Sequence, residues 1–199
     1  MKLFLGICNS QHHVPSKFFW SFIHIRNPYP VTAYRSGHPW DVVRNNRIIA
    51  NFLKSDCDVM IKMDIDQEYP PDFLEKLVPL VEQHKVVGPL IYDRHEVNGY
   101  MPLLFESYNG LILKKMDISQ MSGVVNVPFP HTNLLYHREV LEKIPMPWYE
   151  AYQRADGLER ENHVDLDFIS KIHKAGYDTY VDLDTVVGHM EVRFQYGDN

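Results

Sequence analysis

The stretch VMIKMDIDQEYPPDFLEKL, Val59–Leu77, decides how this chain is read. It opens as a short apolar strand and closes that strand with two aspartates one residue apart, Asp64 and Asp66. Carboxylates so close repel one another, and burying them is costly unless a cation or hydrogen-bond donors compensate. The prolines that follow, Pro70 and Pro71, are tolerated where a helix begins. The run therefore reads as strand, acidic turn and helix, with Phe73, Leu74 and Leu77 turned inward and Pro79 expected to kink or end the helix.

Outward from this stretch, strand and helix patterns alternate, which predicts an α/β layer on a mostly parallel sheet flanked by helices. KLFLGIC reads as an opening strand, and PWDVVRNNRIIANFLKS gathers Val42, Val43, Ile48, Ile49, Phe52 and Leu53 on one helical side. KVVGPLIY is a further strand. From about Asp93 to Phe129, Gly and Pro punctuation without clear periodicity predicts long loops with short strands. Helices return at REVLEKI and NHVDLDFISKIHKAG, the second stopped by Gly176, and YDTYVDLDTVVGHM supplies a late strand and a turn. No repeat or linker interrupts the chain. One domain over 1–199 is expected, with a nucleotide-binding half at about 1–92 and an acceptor half at about 93–199.

Composition excludes several classes. Twenty basic against 26 acidic residues give a net charge of −6 without a dense Lys/Arg run, so a nucleic-acid partner is not expected. No apolar stretch approaches the roughly 18 residues of a membrane span. Two cysteines, Cys8 and Cys57, and no Asn-x-Ser/Thr acceptor fit a reducing, cytoplasmic compartment.

The acid pair admits three readings. Asp64, Asp66, Glu68 and Glu75 have the spacing of a calcium loop, but Tyr69 stands where the sharp turn needs Gly and two prolines follow. The acids can simply cap or solvate a strand end. Alternatively they hold a divalent metal that carries a nucleotide diphosphate, since ligands of open α/β sheets gather at the carboxyl ends of strands. Neither G-x-G-x-x-G nor G-x-x-x-x-G-K-[ST] occurs, so a bound diphosphate needs a cation such as Mg²⁺ or Mn²⁺.

A second constellation lies in ENHVDLDFISKIHKAGY. Helical spacing places Asp165 with Phe168, Ile169 and Ile172, and Asp167 with Lys171 and Lys174, so Asp165 is expected inward and Asp167 toward water. Asp165 is then either a capping carboxylate at the helix start or a general base in a cleft. Among the 11 histidines only His189, after a strand and a glycine, has a positional argument. Trp148, Tyr149 and Tyr152 either form a platform for a sugar face or pack a loop.

In order, Val43-Arg44-Asn45, Asp64-Ile65-Asp66, Val164-Asp165-Leu166-Asp167-Phe168 and Gly188-His189 resemble nucleotide-sugar-dependent glycosyltransferases of the GT-A fold. The likeness is to the small family 2-like enzymes of bacteria and their viruses, and it covers nearly the whole chain. It implies a metal-dependent transfer from a nucleotide-diphosphate sugar, UDP-linked by preference, to a hydroxyl of a glycan or other acceptor. By that resemblance Asp64 and Asp66 hold Mn²⁺ or Mg²⁺ and the donor, and His189 completes the metal site. Arg44, Asn45 and Ser10 line the nucleotide, with CNS at Cys8–Ser10 replacing the family's common Pro-Thr form. Asp165 serves as base, which implies an inverting hexosyl- or deoxyhexosyltransferase; Val164 stands where the family usually has Glu. A sugar-nucleotide nucleotidyltransferase would be expected to carry a glycine-rich basic loop that GICNSQHHVPSKF lacks, and a non-catalytic carbohydrate-binding module would not need these acids to converge.

Overall fold

A computed structural model describes residues 1–10, 13–93, 101–110, 112–131, 133–152 and 162–190. The expected strands and helices form β1 (Leu3–Cys8), α2 (Asp41–Lys54), β3 (Val59–Asp64), α3 (Phe73–His84), β5 (Val86–Ile91), α4 (Arg138–Lys143), α5 (Val164–Lys174) and β11 (Tyr180–His189). Between them lie α1 (Ser16–His24), β2 (Val31–Ser36), β4 (Gln67–Glu68) and β10 (Leu135–His137), none of which the sequence pattern announces. In SKFFWSFIH the apolar residues spread from the buried Phe18 to the exposed Phe19, Trp20 and Ile23, so the apolar arc of α1 is wider than the face that packs. β2 is a largely exposed edge strand, and β10 is three residues long.

The main sheet runs in the order β2-β1-β3-β10-β5-β11-β4, with β8 (Val124–Asn126) also pairing with β11. β1 lies parallel to β2 and β3, and β5 parallel to β11. β10 runs against both β3 and β5, pairing Leu135 with Ile61 and with Val87. Five strands therefore share one direction, with a short reversed strand between them. A second, antiparallel sheet joins β7 (Ile112–Lys115), β6 (Leu104–Asn109) and β9 (Phe129–Pro130). These are short strands in the region expected to be mostly loop, of which residues 94–100 and 111 lie outside those described.

Side chains alternate across β1 and β3 and build two cores. Phe4 and Met60 face α2, α4 and α5, where Ile48, Phe52, Leu141, Phe168 and Ile172 are buried with them. Leu3, Leu5, Ile61 and Met63 face the other way, toward Phe18 of α1 and Phe73, Leu77 and Val81 of α3. Each such side chain contributes roughly 1.5–3 kcal/mol when fully buried. That burial explains why α3 runs through Pro79 to His84. The proline ring sits on the exposed side while Leu77, Val78 and Val81 are inaccessible, and the packing outweighs one missing backbone donor.

The end of β11 also departs from expectation. Gly188 and His189 are strand residues that pair with Glu68 and Gln67 of β4. A register shift between Asp182 and Val186 redirects the strand, and Asp182 holds it by accepting bonds from Thr185 Oγ1 (2.6 Å) and the Asp184 amide (3.2 Å). A Cβ at Gly188 would lie 3.3 Å from Glu68 Cβ, so the missing side chain permits this close pairing. Among the described residues no helix is long and apolar enough to cross a membrane.

Gly6 of β1 sets the seating of α2, because a Cβ there would lie 2.3 Å from Ile48 Cγ2. Gly6→Ala is expected to lower unfolding free energy by about 1–3 kcal/mol through overpacking. Denaturant titration should show a smaller loss when the change is made in an Ile48→Ala background; equal losses in both backgrounds would place the cause elsewhere.

Candidate active site

The carboxyl ends of β1, β2 and β3 lie side by side, with Cys8 opposite both Ser36 and Asp64. From α2, the buried Asn45 accepts a bond from Cys8 Sγ (3.3 Å) and so fixes the end of β1, after which Ser10 is exposed. Burial pushes the Cys8 thiol far above its ordinary range, which makes it a packing group and not a nucleophile. Arg44, one residue earlier, donates from Nη1 to the carbonyls of His38 (3.0 Å) and Pro39 (3.5 Å). Arg44 and Asn45 thus brace the loops at this edge.

Lys62 occupies the centre of the edge. Two residues before Asp64 on one strand, it points to the same side. Its ammonium lies 3.0 Å from Asp64 Oδ2 and 3.7 Å from Asp165 Oδ1, and its side chain is 11% exposed. Burial alone would lower the Lys62 pKa, but the Asp64 and Asp165 carboxylates raise it well above the ordinary lysine range. Burial alone would raise Asp165, yet Lys62, with His131, holds it well below the carboxylate range. With its amide oriented to suit its neighbours, Asn133 adds a donor to Asp64 Oδ2 (2.8 Å) and accepts from the Asp64 amide (3.0 Å). The strand-end acid is therefore compensated by a lysine of its own strand and a buried amide, neither of which the motif-based reading singled out.

Asp66 lies on the other side of this turn. Its carbonyl accepts from the Met190 amide (2.8 Å), and its Oδ2 is 3.5 Å from His189 Nε2. The other imidazole nitrogen, Nδ1, is 3.3 Å from the Tyr92 carbonyl at the end of β5. A proton on Nδ1 toward that carbonyl leaves the Nε2 lone pair facing a carboxylate oxygen, an arrangement that favours a cation between them. A carbonyl that orients one imidazole nitrogen while the other meets a cation is the common arrangement of metal-binding histidine. Among the described residues no three His, Cys, Asp or Glu side chains converge to hold an ion alone. Asp66 and His189 thus fit a site that substrate oxygens and water complete.

At the start of α5 one of the two aspartates, Asp167, differs from the helical-phase expectation. Asp165 is 40% exposed and faces Lys62 and His131. Asp167 does not point to water: Oδ1 accepts from Tyr108 Oη (2.9 Å) and Oδ2 from Asn162 Nδ2. Tyr108 of β6 also accepts from the His163 amide (3.0 Å), so the smaller sheet anchors the turn that presents Asp165. Burial, with donation to Asp167, pushes the Tyr108 hydroxyl up to about 12, keeping it a donor. Of the three aromatics considered for a platform, only Tyr152 is exposed, at 48%. Trp148 and Tyr149 belong to the core, where Trp148 donates to the Ile144 carbonyl (3.0 Å) and Tyr149 packs on Phe168.

Similar proteins share this arrangement of strands and helices. The chain aligns over its full length with the crystal structure of A197 from STIV, at 17% identity and a TM-score of 0.58, covering 99% of each chain. It matches GalNAc-T7, solved with UDP, GalNAc and Mn²⁺, at 12% identity and a TM-score of 0.66, spanning 44% of that chain. It also matches TarS from S. aureus in complex with UDP-GlcNAc, at 12% identity and a TM-score of 0.58, spanning 60% of that chain. At such identities the likeness establishes a common fold, the GT-A fold. No curated protein sequence matches the chain. The family described as glycosyl transferase family 2 matches residues 24–145, from the end of α1 past α4 and across the acid pair, and the chain belongs to that family.

Proposed function

We propose that the protein transfers a hexosyl or deoxyhexosyl unit from a nucleoside-diphosphate sugar, with UDP as the favoured nucleotide, to a hydroxyl of a glycan or related acceptor, with inversion at the anomeric carbon. The observation that carries this reading is the meeting of the compensated acids Asp64 and Asp165 with the Asp66–His189 pair at one sheet edge. The UDP and UDP-GlcNAc in the related GalNAc-T7 and TarS structures support the choice of nucleotide. The donor side draws on residues of about 1–92 together with His189, and the acceptor carboxylate comes from about 93–199.

Asp66 and His189 would hold Mn²⁺ or Mg²⁺, whose chemistry when bound is to neutralise charge on a departing diphosphate. Asp64, beside Lys62, lies where it can accept from a donor ribose hydroxyl. Lys62 adds fixed positive charge at the edge where the leaving group becomes more negative. Asn45 sets the end of β1, and Arg44 sets the loop at His38–Pro39, so these residues and Ser10 shape the nucleotide pocket. On the acceptor side, ionised Asp165 drives removal of the hydroxyl proton while that oxygen attacks the anomeric carbon opposite the diphosphate. One acceptor-side carboxylate and a direct displacement constitute an inverting reaction.

Calorimetry should show UDP binding at least tenfold tighter with Mn²⁺ than with EDTA, and His189→Ala should remove most of that difference. Equal affinity in both conditions would eliminate the metal from this function. Because a neutral imidazole is required of a ligand, acid should weaken Mn²⁺-dependent binding in the wild type more than in His189→Ala.

Asp165→Asn is expected to lower sugar transfer by roughly a hundredfold or more while UDP affinity with Mn²⁺ changes less than threefold. Screening nucleotide sugars for metal-dependent UDP release provides the assay. An active Asp165→Asn variant would remove Asp165 from the reaction.

A further inference from the structure

His131 follows β9, and its amide donates to the Leu103 carbonyl (2.8 Å), which fixes the backbone behind the ring. Its Nε2 lies 3.5 Å from Asp165 Oδ2, while Asp165 Oδ1 faces Lys62. The carboxylate is thus engaged at both oxygens. The His131 side chain is 42% exposed, and among the described residues nothing hydrogen-bonds its Nδ1.

We propose that His131 is the general base of the transfer and that Asp165 is the carboxylate that positions it. The proposal rests on the glycosyltransferase function above and replaces direct proton uptake by Asp165 with uptake through the imidazole. With Nε2–H directed at Asp165, the lone pair on Nδ1 is available to an acceptor hydroxyl. The acceptor O–H bond breaks and its proton passes to Nδ1. The oxygen electron pair forms the bond to the anomeric carbon, and the carbon–oxygen bond to the diphosphate breaks with its electrons on the leaving nucleotide. Asp165 remains ionised and stabilises the imidazolium that results.

Basicity supports the same division of roles. A carboxylate held far below its ordinary range by Lys62 is a weak proton acceptor, whereas imidazole ordinarily titrates near neutrality, where a general base is most effective. Among the described residues, the charged and titratable groups near His131 include Asp165, Lys62 behind it, and His163 just before α5. Burial lowers the His163 pKa, and repulsion from His131 lowers it further.

The test measures UDP release from UDP-glucose, UDP-galactose and their N-acetyl counterparts with Mn²⁺, using water as acceptor. His131→Ala should slow release at least about a hundredfold with UDP affinity unchanged, and added imidazole should restore part of the rate. The wild-type rate should fall as acid protonates the base, and His131→Ala should lose that acid limb. His131→Gln should be equally slow, which guards against an effect of cavity formation. A loss under threefold in both variants, or an unchanged acid limb, would overturn the proposal. Ring ¹⁵N spectra give a readout independent of turnover: His131 should be the Nε2–H tautomer, and Asp165→Asn should weaken that preference. An Nδ1–H tautomer would refute the dyad. A wild type that neither binds UDP nor releases it would count against the function above, leaving the spectra to judge the dyad.

Discussion

The ammonium of Lys62 between Asp64 and Asp165 is the interaction on which this sheet edge depends. Opposite charges about 4 Å apart attract by roughly 1 kcal/mol in water and roughly 4 kcal/mol near a protein surface. Partial burial therefore decides whether this contact matters, and a lysine side chain 11% exposed lies on the stronger side of that range. Without it, the strand-end carboxylate and the carboxylate opening α5 would lose the cation they share, leaving Asn133 beside one and His131 beside the other. With it, the two carboxylates share one buried cation, which helps hold Asp165 ionised.

That arrangement requires elements distant in sequence to meet above one sheet. β3 delivers Lys62 and Asp64, and α5 delivers Asp165 through a turn tied to β6 by Tyr108 and Asp167. β10 runs against its neighbours and is followed at once by α4, so the chain can pass through the middle of a parallel sheet without a long crossover. The Asp182 bulge in β11 then brings Gly188 and His189 against β4, beside Asp66. The edge is thus assembled by two different devices, an ion-pair cluster and a redirected strand.

Much of this was legible in local pattern. Alternation in LFLGIC and VMIKMD, the helical stripe of Ile48, Ile49 and Phe52, and the strand-end position of Asp64 all follow from periods that side-chain burial imposes on neighbouring residues. α1 and β10 escaped because one carries exposed apolar residues well beyond its packed face and the other is too short for a period to register. The inward assignment of Trp148 and Tyr149 was undecidable locally, since an aromatic beside proline serves a sugar platform and a core equally well until its neighbours are known.

The amino-acid sequence by itself determined the alternating α/β order, the acid pair at the end of β3, and the family resemblance that named Asp66, Asp165 and His189 together. Tertiary structure alone decided the partners of those groups: Lys62 for Asp64 and Asp165, His131 for Asp165, His189 for Asp66, and Tyr108 for Asp167. Spacing along a chain constrains which residues share a face within one element, and helical phasing accordingly sent Asp167 to water. Whether that face meets solvent, a tyrosine or a lysine depends on how separate elements pack, and no local period encodes that.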